Sequence, residues 1–371
     1  MKDSNVSFLW RNTDRIGQFS TGVCLHGHTM HSEECLSFLP RYLHRVPGVS
    51  HIVSRYQRGP LPAVDFSRAY WTPPLSPASA LRLEREQIAN LGLHPLVSLT
   101  DHDNIEAGAT LQVAASPGDV PVSVEWTVPY HHSIFHLGIH NLPPADAQSW
   151  MSAMATYTAS RDENLLREIL STCAAIPEVL IVLNHPFWLE EGVKEVDHQP
   201  ALDRILRECV TWFHAFELNG TRRWSENAAV MELARIYSRP VVSGGDRHAC
   251  EPAACLNLTN SRSFSGFAAE VRAGYSSVLF LPHYQQPMAF RVLEASCEIL
   301  RKYPEFSGRE RWIDRFFYRT EDGTAQTLAA LWENREPWVI RPLSGTLQFL
   351  ATARVRIALR LLMAGQTEAL P

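Results

Sequence analysis

Cysteine is sparse in this chain of 371 residues, and its spacing argues against the usual thiolate sites. The seven cysteines are scattered along the chain and include no Cys-x-x-Cys pair. An odd, unclustered set favours neither a disulfide framework nor a thiolate zinc site. We therefore expect a protein of the reducing cytoplasm.

Long uninterrupted apolar runs are also missing. No stretch offers the roughly twenty consecutive apolar residues that a transmembrane helix needs. Residues 1–7 lack the apolar core of a signal peptide. These two absences predict a soluble protein without a transmembrane segment.

Positive charge is not in excess, because the formal net charge is −5. This balance gives no signal for duplex nucleic acid, although a local positive pocket stays possible. Only Lys2, Lys194 and Lys302 are lysines among the 34 basic residues, and we attach no mechanism to that bias. The hydrophobic share of 45% is sufficient for a well-buried core in one large domain or in a domain with an appendage.

Between residues 23 and 282, short β-branched or Leu-rich runs alternate with segments of helical periodicity. This alternation is typical of βα units around a parallel sheet, and polar residues follow most of the runs, as they do at the carboxyl ends of strands in α/β proteins. Ser76 and Pro77 predict the start of one helix, and Gly92 its end. The predicted strands are Val23–His26, Leu96–Thr100, Val122–Glu125, Ile134–Ile139, Val179–Asn184, Ala215–Leu218, Val241–Ser243 and Ser277–Leu281.

Two regions depart from this alternation. Residues 36–74 are rich in proline and aromatic residues and have no clear period, so they read as an insertion that is either a lid or a solvated excursion. Beyond residue 282 we expect a helix over Met288–Tyr303 and an apolar segment, Leu343–Ala364, whose three arginines exclude an ordinary membrane span. That segment could pack on the rest of the chain, build a homo-oligomer or attach to a membrane surface. We predict one domain over 1–282 and a mainly helical extension over 283–371.

His26 and His28 begin a series of groups that can bind metals. Side chains two apart in an extended strand point to the same face, so the two imidazoles can chelate one ion. Asp101 or Asp103 could orient His102 from a second layer. The further candidate ligands, each close to the end of an apolar run, are His102, Glu125, His136, His185, Asp246 and His248.

Imidazoles and carboxylates without a thiolate suit zinc, manganese or iron rather than calcium. More than four such groups imply two or three divalent ions, and a carboxylate such as Glu125 can bridge two of them. Two neighbouring cations can hold a hydroxide as nucleophile and neutralise an anionic substrate. Hydrolysis is therefore the expected reaction.

In this order, the motifs resemble those of the PHP (polymerase and histidinol phosphatase) family. The resemblance spans residues 23–281 and implies a distorted (β/α)7 TIM-like barrel with a trinuclear metal site and, in most members, phosphoester hydrolysis. The third metal needs a ligand just after the first motif, for which this chain offers Glu33 or Glu34, with His31 as a substitute. The ligands implied are His26, His28, Glu125 and Asp246 for the first metal, Glu125, His136 and His185 for the second, and His102 and His248 for the third.

We therefore expect a metal-dependent phosphoesterase that cleaves a small phosphate ester or nucleotide. Arg222, Arg223 and Arg247 lie beside site motifs and could clamp a phosphate. A hydrolase of amides or other esters is an alternative that a pocket without basic groups would favour. A metal-stabilised binding module without catalysis is the other alternative.

Overall fold

The computed structural model describes residues 4–36, 65–114, 120–190, 192–338 and 340–350, with isolated positions beyond residue 350. The fold is mixed α/β, and each of the eight predicted strands overlaps a strand of the structure. The strands are β1 (Ser4–Phe8), β2 (Thr21–Cys24), β3 (Glu34–Cys35), β4 (Ala69–Trp71), β5 (His94–Val97), β6 (Val122–Tyr130), β7 (Ser133–Leu142), β8 (Leu180–Asn184), β9 (Ala215–Asn219), β10 (Val241–Gly244), β11 (Cys255–Thr259), β12 (Ser276–Phe280), β13 (Phe316–Arg319) and β14 (Ala325–Thr327).

The helices alternate with the strands through most of the chain. The one over residues 77–89 confirms the predicted start, since Ser76 Oγ accepts from the Ser79 N–H at 3.3 Å and Pro77 is the first helical residue. The helices are α1 (Pro77–Ala89), α2 (Glu106–Ala114), α3 (Ala147–Ser160), α4 (Glu163–Ala175), α5 (Glu195–Cys209), α6 (Trp224–Ile236), α7 (Phe264–Arg272), α8 (Met288–Leu300), α9 (Leu328–Leu331) and α10 (Arg341–Leu350).

Most strands lie in two five-stranded sheets, with the orders β1-β12-β11-β2-β5 and β10-β9-β8-β7-β6. The predicted parallel sheet is found only in part, because β7 runs antiparallel to both β6 and β8, and β11 runs antiparallel to β2 and β12. Tyr130 pairs with Ser133 across a two-residue turn, which is too short for the crossover that parallel strands require. The sheets are therefore mixed.

Backbone contacts join the edges of the two sheets. A parallel bridge between His102 and Glu125 links the chain after β5 to β6, and another between Gly27 and Arg247 links the chain after β2 to the chain after β10. The Asp246 N–H also donates to the His26 carbonyl at 3.0 Å. These contacts bring loops that follow different strands to one place.

One large part of the core lies between the second sheet and its helices. All five residues of β8 are buried, and Trp126 on β6 is fully buried against the ring of Tyr157, with centroids 5.4 Å apart. Each large apolar side chain removed from water in this way contributes roughly 1.5–3 kcal/mol. The strand ends are thus held by a rigid, dry support.

A third sheet, with the order β14-β13-β4-β3, joins chain segments that flank residues 37–64 to the C-terminal region. Leu36 and Trp71 share an apolar cluster with Trp312, Ile313 and Phe316. The expectation for the insertion falls largely on residues 37–64, which lie outside the described residues. The division into domains at residue 282 stays a prediction.

The C-terminal helix predictions have different outcomes. The helix predicted over Met288–Tyr303 is α8, and it ends at Leu300. Helix α10 covers the beginning of the predicted Leu343–Ala364 segment, most of whose remainder lies outside the described residues. Among the residues that the structure describes, no helix has both the length and the apolar character needed to cross a bilayer.

Candidate metal centre

The two histidines after β2 meet at their ring nitrogens. Nε2 of His26 lies 3.1 Å from Nε2 of His28, and both side chains are buried. The backbone is held in place because the His28 N–H donates to the Arg247 carbonyl at 2.8 Å. The spacing that suggested chelation thus produces two convergent imidazoles.

Glu125 on β6 is fully buried at the centre of the site, and its two oxygens face different histidines. Such a carboxylate can bind one ion through each oxygen. The imidazole nitrogens nearest Oε2 are His26 Nε2 at 2.8 Å, His28 Nε2 at 3.4 Å and His102 Nδ1 at 3.5 Å, and those nearest Oε1, which also accepts from the Asn184 amide at 3.0 Å, are His185 Nε2 at 3.1 Å and His136 Nδ1 at 3.5 Å.

Asp246 follows β10 and faces the first two histidines. Its Oδ1 lies 3.6 Å from His28 Nε2 and 3.8 Å from His26 Nε2. The Asn219 amide and the Thr221 hydroxyl donate to the other oxygen, Oδ2, at 3.1 and 3.0 Å. Oδ1 is therefore the atom presented to the centre.

Of the two glutamates that the sequence offered for the third metal, the structure places Glu34, not Glu33, beside His102 and His248. Glu34 Oε2 lies 3.3 Å from His248 Nε2 and 3.6 Å from His102 Nε2, whereas the half-exposed Glu33 carboxylate pairs with Arg319. Successive side chains in an extended segment point to opposite faces, so only one of the two acids can face the site.

His31, the substitute proposed for this position, pairs with Glu106 at 3.0 Å. Glu106 is the first residue of α2 and its side chain is two-thirds exposed. The His31 ring therefore contacts a solvated carboxylate at the surface.

Within the described ranges of the chain, four groups of three side chains could each hold an ion, because their donor atoms lie within 4.8 Å of one another. His102 Nδ1 and His136 Nδ1 are buried without a hydrogen-bond partner in the described part of the chain. Buried polar atoms are normally satisfied, and a divalent ion with nitrogen and oxygen ligands would satisfy these two. The groups are His26–His28–Asp246, His26–His185–Glu217, His28–Glu34–His102 and His102–Glu125–His136.

The charges of these groups depend on one another. Burial opposes ionisation of Glu125, but the surrounding imidazoles, His26 foremost, hold its pKa well below the ordinary value. Burial also lowers the pKa of His248, yet the surrounding carboxylates, Glu34 foremost, together outweigh this effect and raise the pKa to about 9. Burial and the neighbouring His248 lower the pKa of His28 to about 4, which leaves that ring neutral with a free lone pair. The carboxylates are thus kept as anions suited to cations.

Glu217 on β9 is a functional candidate that the sequence reasoning missed. Its Oε1 accepts from His26 Nδ1 at 2.5 Å, and its Oε2 accepts from the His185 N–H at 2.9 Å. A carboxylate on the far nitrogen of a metal-binding histidine sets the tautomer and orientation of the ring. The available signal was an acid in the middle of an otherwise apolar predicted strand.

Neither aspartate beside His102 orients that ring in the way the sequence suggested. Asp101 accepts from the Thr29 N–H at 2.5 Å and from its hydroxyl at 2.7 Å. Asp103 accepts from the Thr127 N–H at 2.8 Å. Both carboxylates instead hold the backbone around the site.

Two candidate ligands sit on strained backbone. His185 has φ +25° and Asp246 has φ +49°, in the left-handed region that residues with a Cβ seldom adopt. Such conformations cost about 1–3 kcal/mol each and cluster at functional sites. Tertiary contacts therefore hold both residues in backbone conformations that are locally unfavourable.

The three candidate arginines have different surroundings. Arg247 is buried, forms an ion pair with Glu84 at 2.5 Å and donates to the Glu251 carbonyl, so these contacts within the protein occupy its guanidinium. Arg223 is exposed at the start of α6. The Arg222 guanidinium lies 3.6 Å from Asp246 Oδ2 and 3.7 Å above the Trp188 ring, at the edge of the cluster.

Comparisons with solved structures return distant likenesses. No family model matches the chain, and no curated protein matches it in sequence. The structure is similar to a "putative metal-dependent phosphoesterase" from Bifidobacterium adolescentis, with TM-score 0.33 and 14% identity over 53% of this chain and 91% of that one. It is also similar to PsfC from Pseudomonas syringae, with TM-score 0.36 and 14% identity over 58% of this chain and 86% of that one.

Proposed function

We propose that this protein is a metal-dependent phosphoesterase of the PHP type that hydrolyses a small phosphate ester or nucleotide. The observation that carries the proposal is the convergence of five imidazoles, four of them buried, on Glu125, with Asp246 and Glu34 beside them. Bound divalent ions would polarise a phosphoryl oxygen and lower the pKa of a water molecule. Zinc, manganese and iron all fit this ligand set.

The positions of the candidate ligands support their distribution among two or three ions. His26, His28 and Asp246 surround one position, and His136 and His185 lie on the other side of Glu125. Glu125 would therefore hold two ions through its separate oxygens. His102, His248 and Glu34 would hold the third ion.

The strand arrangement is consistent with the proposed family. Each of the strands β2 and β5–β10 neighbours the next in a continuous order. Sheet pairing makes most of these contacts, and the two isolated bridges join β5 to β6 and β10 to β2. We propose that these seven strands form the distorted barrel of a PHP protein. A cytoplasmic location remains part of this proposal.

Arg222 favours phosphate over an amide substrate. Its guanidinium is held between Asp246 and the face of Trp188, at the edge of the candidate ligands. A planar guanidinium can bind two phosphate oxygens at once. A site for a neutral amide would have no need of this cation.

Metal analysis and turnover test the proposal together. The purified protein, loaded with manganese, should contain two or three ions per chain and hydrolyse an aryl phosphate, nucleotides or sugar phosphates. Asp246→Asn should lower turnover by more than about 100-fold, beyond the cost of losing an outer-layer partner.

Asp203→Asn is the matched control because Asp203 is exposed on α5 and bonds only Gln199 among the contacts described. It should keep both the metal content and the turnover. Fewer than two ions per chain, or turnover that is indifferent to Asp246→Asn, would reject the proposal.

A further inference from the structure

The chain beyond the last strand of the two large sheets sends two side chains back to the site. We propose that Arg291 on α8 and Tyr284 are positioning residues, which hold residues 219–222 so that Asp246 presents one oxygen to the metals and Arg222 reaches the substrate. This inference rests on the proposed function.

Arg291 binds the backbone of residues 219–222 through its guanidinium. Its side chain is buried, and it donates to the carbonyls of Gly220, Arg222 (3.1 Å) and Gln286 (3.2 Å). The guanidinium also lies 4.4 Å from the centroid of the Tyr284 ring. A buried guanidinium is tolerated only when its donors are used, so the loop carbonyls are held in fixed positions.

Tyr284 and Asn227 hold the same backbone from a second side. The Tyr284 hydroxyl donates to the Arg222 carbonyl at 3.1 Å and accepts from Asn227 Nδ2 at 2.8 Å. Asn227 in turn accepts from the Asn219 N–H at 2.8 Å and donates to the Asn219 carbonyl at 3.0 Å. Three buried side chains from outside the loop therefore bind the backbone at residues 219, 220 and 222.

Side chains of residues 219–222 in turn form hydrogen bonds with Asp246 and Glu217. The Asn219 amide donates to Asp246 Oδ2 and to Glu217 Oε2, each at 3.1 Å. The Thr221 hydroxyl lies 3.0 Å from the same Asp246 oxygen. Loss of Arg291 would free the loop, allow Asp246 to turn away from the histidines and displace Arg222.

The first test measures the manganese affinity of the full-length protein, apart from any turnover. Arg291→Met keeps much of the aliphatic stem but removes all the donors, and it should weaken manganese binding about tenfold, as expected for outer-layer partners. Arg291→Lys, which can restore one or two of the contacts, should recover part of that loss.

Arg272→Met is the matched control at the opposite end of β8. Arg272 also donates to backbone carbonyls, those of Val179 and Ala174, both at 2.8 Å. It should lower the unfolding temperature without changing manganese affinity. Equal losses of affinity in the Arg272 and Arg291 variants would show a general structural effect and overturn the inference, as would unchanged affinity in Arg291→Met.

If Arg291→Met does not fold, Tyr284→Phe tests the positioning role instead. It removes a single hydroxyl, so manganese affinity should fall about two- to tenfold, the effect of one hydrogen bond. Unchanged affinity in Tyr284→Phe would then overturn the inference.

A second measurement separates this inference from the proposed function. In the metal-loaded protein, Arg291→Met should raise KM for the aryl phosphate, since Arg222 is displaced. Absence of phosphoester turnover in the unmodified protein would reject the proposed function alone, provided that the metal-affinity differences remain. Turnover with a metal affinity indifferent to Arg291→Met would reject the positioning role alone.

Discussion

At the scale of single residues, the alternation of side chains along an extended segment decides which acid faces the site. Glu33 and Glu34 are adjacent and chemically alike, yet Glu34 is buried against His28, His102 and His248 while Glu33 pairs with Arg319 in solvent. His102 and His248 are the largest influences opposing the effect of burial on Glu34, and they hold its pKa far below the ordinary value. A metal ligand of this kind must be an anion.

Substitution of the two acids separates their roles. Glu34→Gln should reduce the metal content by one ion per chain, because a neutral amide is a much weaker ligand than a carboxylate. Glu33→Gln, the matched control, should keep the full content, since it removes only a surface ion pair worth about 0–1 kcal/mol.

Elemental analysis after dialysis against excess manganese measures both variants. A full complement of ions in Glu34→Gln, or an ion lost from Glu33→Gln, would contradict this assignment of the third site.

At the scale of elements, β9 and β10 can pack closely because Gly244 on β10 has no side chain. Gly244 ends β10, and a Cβ at this position would lie 1.6 Å from Glu217 Oε1 on β9. That oxygen accepts from His26 Nδ1. The glycine therefore provides the space in which a carboxylate reaches a candidate metal ligand.

Gly244→Ala should disturb both packing and metal binding. The added methyl group must displace the Glu217 carboxylate, so we expect the free energy of unfolding to fall by about 1–3 kcal/mol. Metal affinity should fall about tenfold as His26 loses its partner. Denaturant unfolding of the metal-free protein and a manganese titration measure the two effects.

Gly17→Ala is the control for this substitution. A Cβ at Gly17 would meet nothing within 4 Å, so both quantities should stay close to the unmodified values. If Gly244→Ala behaved like Gly17→Ala, the close approach of Glu217 would have no energetic role.

At the scale of the whole molecule, stability depends on groups far from the site. His214 lies beside the beginning of β8, where its ring nitrogens face the Ile181 N–H and the Arg272 guanidinium, each at 2.8 Å. Burial, followed by the charges of Arg272 and Arg239, lowers the pKa of His214 to about 3. A second ring proton would find donors on both sides and no acceptor.

His214 should therefore make the fold sensitive to acid. Below pH 6.5 the His214 imidazole becomes protonated in the unfolded chain. In the folded chain it stays neutral until about pH 3. Stability is lost as pH falls through that window, by at most about 2 kcal/mol between pH 7 and pH 5. His214→Asn keeps an acceptor for Ile181 and does not titrate.

Denaturant unfolding at pH 7 and pH 5 checks this expectation. The loss of stability on acidification should be smaller in His214→Asn than in the unmodified protein, since the contributions of the remaining groups cancel in the comparison. Equal losses in the two proteins would contradict the role assigned to His214.

The sequence alone determined the local features of this protein. Apolar runs located eight strands, Ser76 and Pro77 located the start of a helix, and the histidines with Glu125 and Asp246 formed a recognisable ligand set. These features depend on residues close together in the chain, whose periodicity and capping chemistry are visible in a linear sequence.

Only the tertiary structure decided which side chains meet. It selected Glu34 from the two adjacent glutamates, buried Arg247 against Glu84, brought in Glu217 and connected α8 to the loop at 219–222. Each outcome depends on contacts between segments distant in the chain, or on the face to which a strand turns. Local periodicity cannot specify these relations, because they arise when the sheets pack and their edges join.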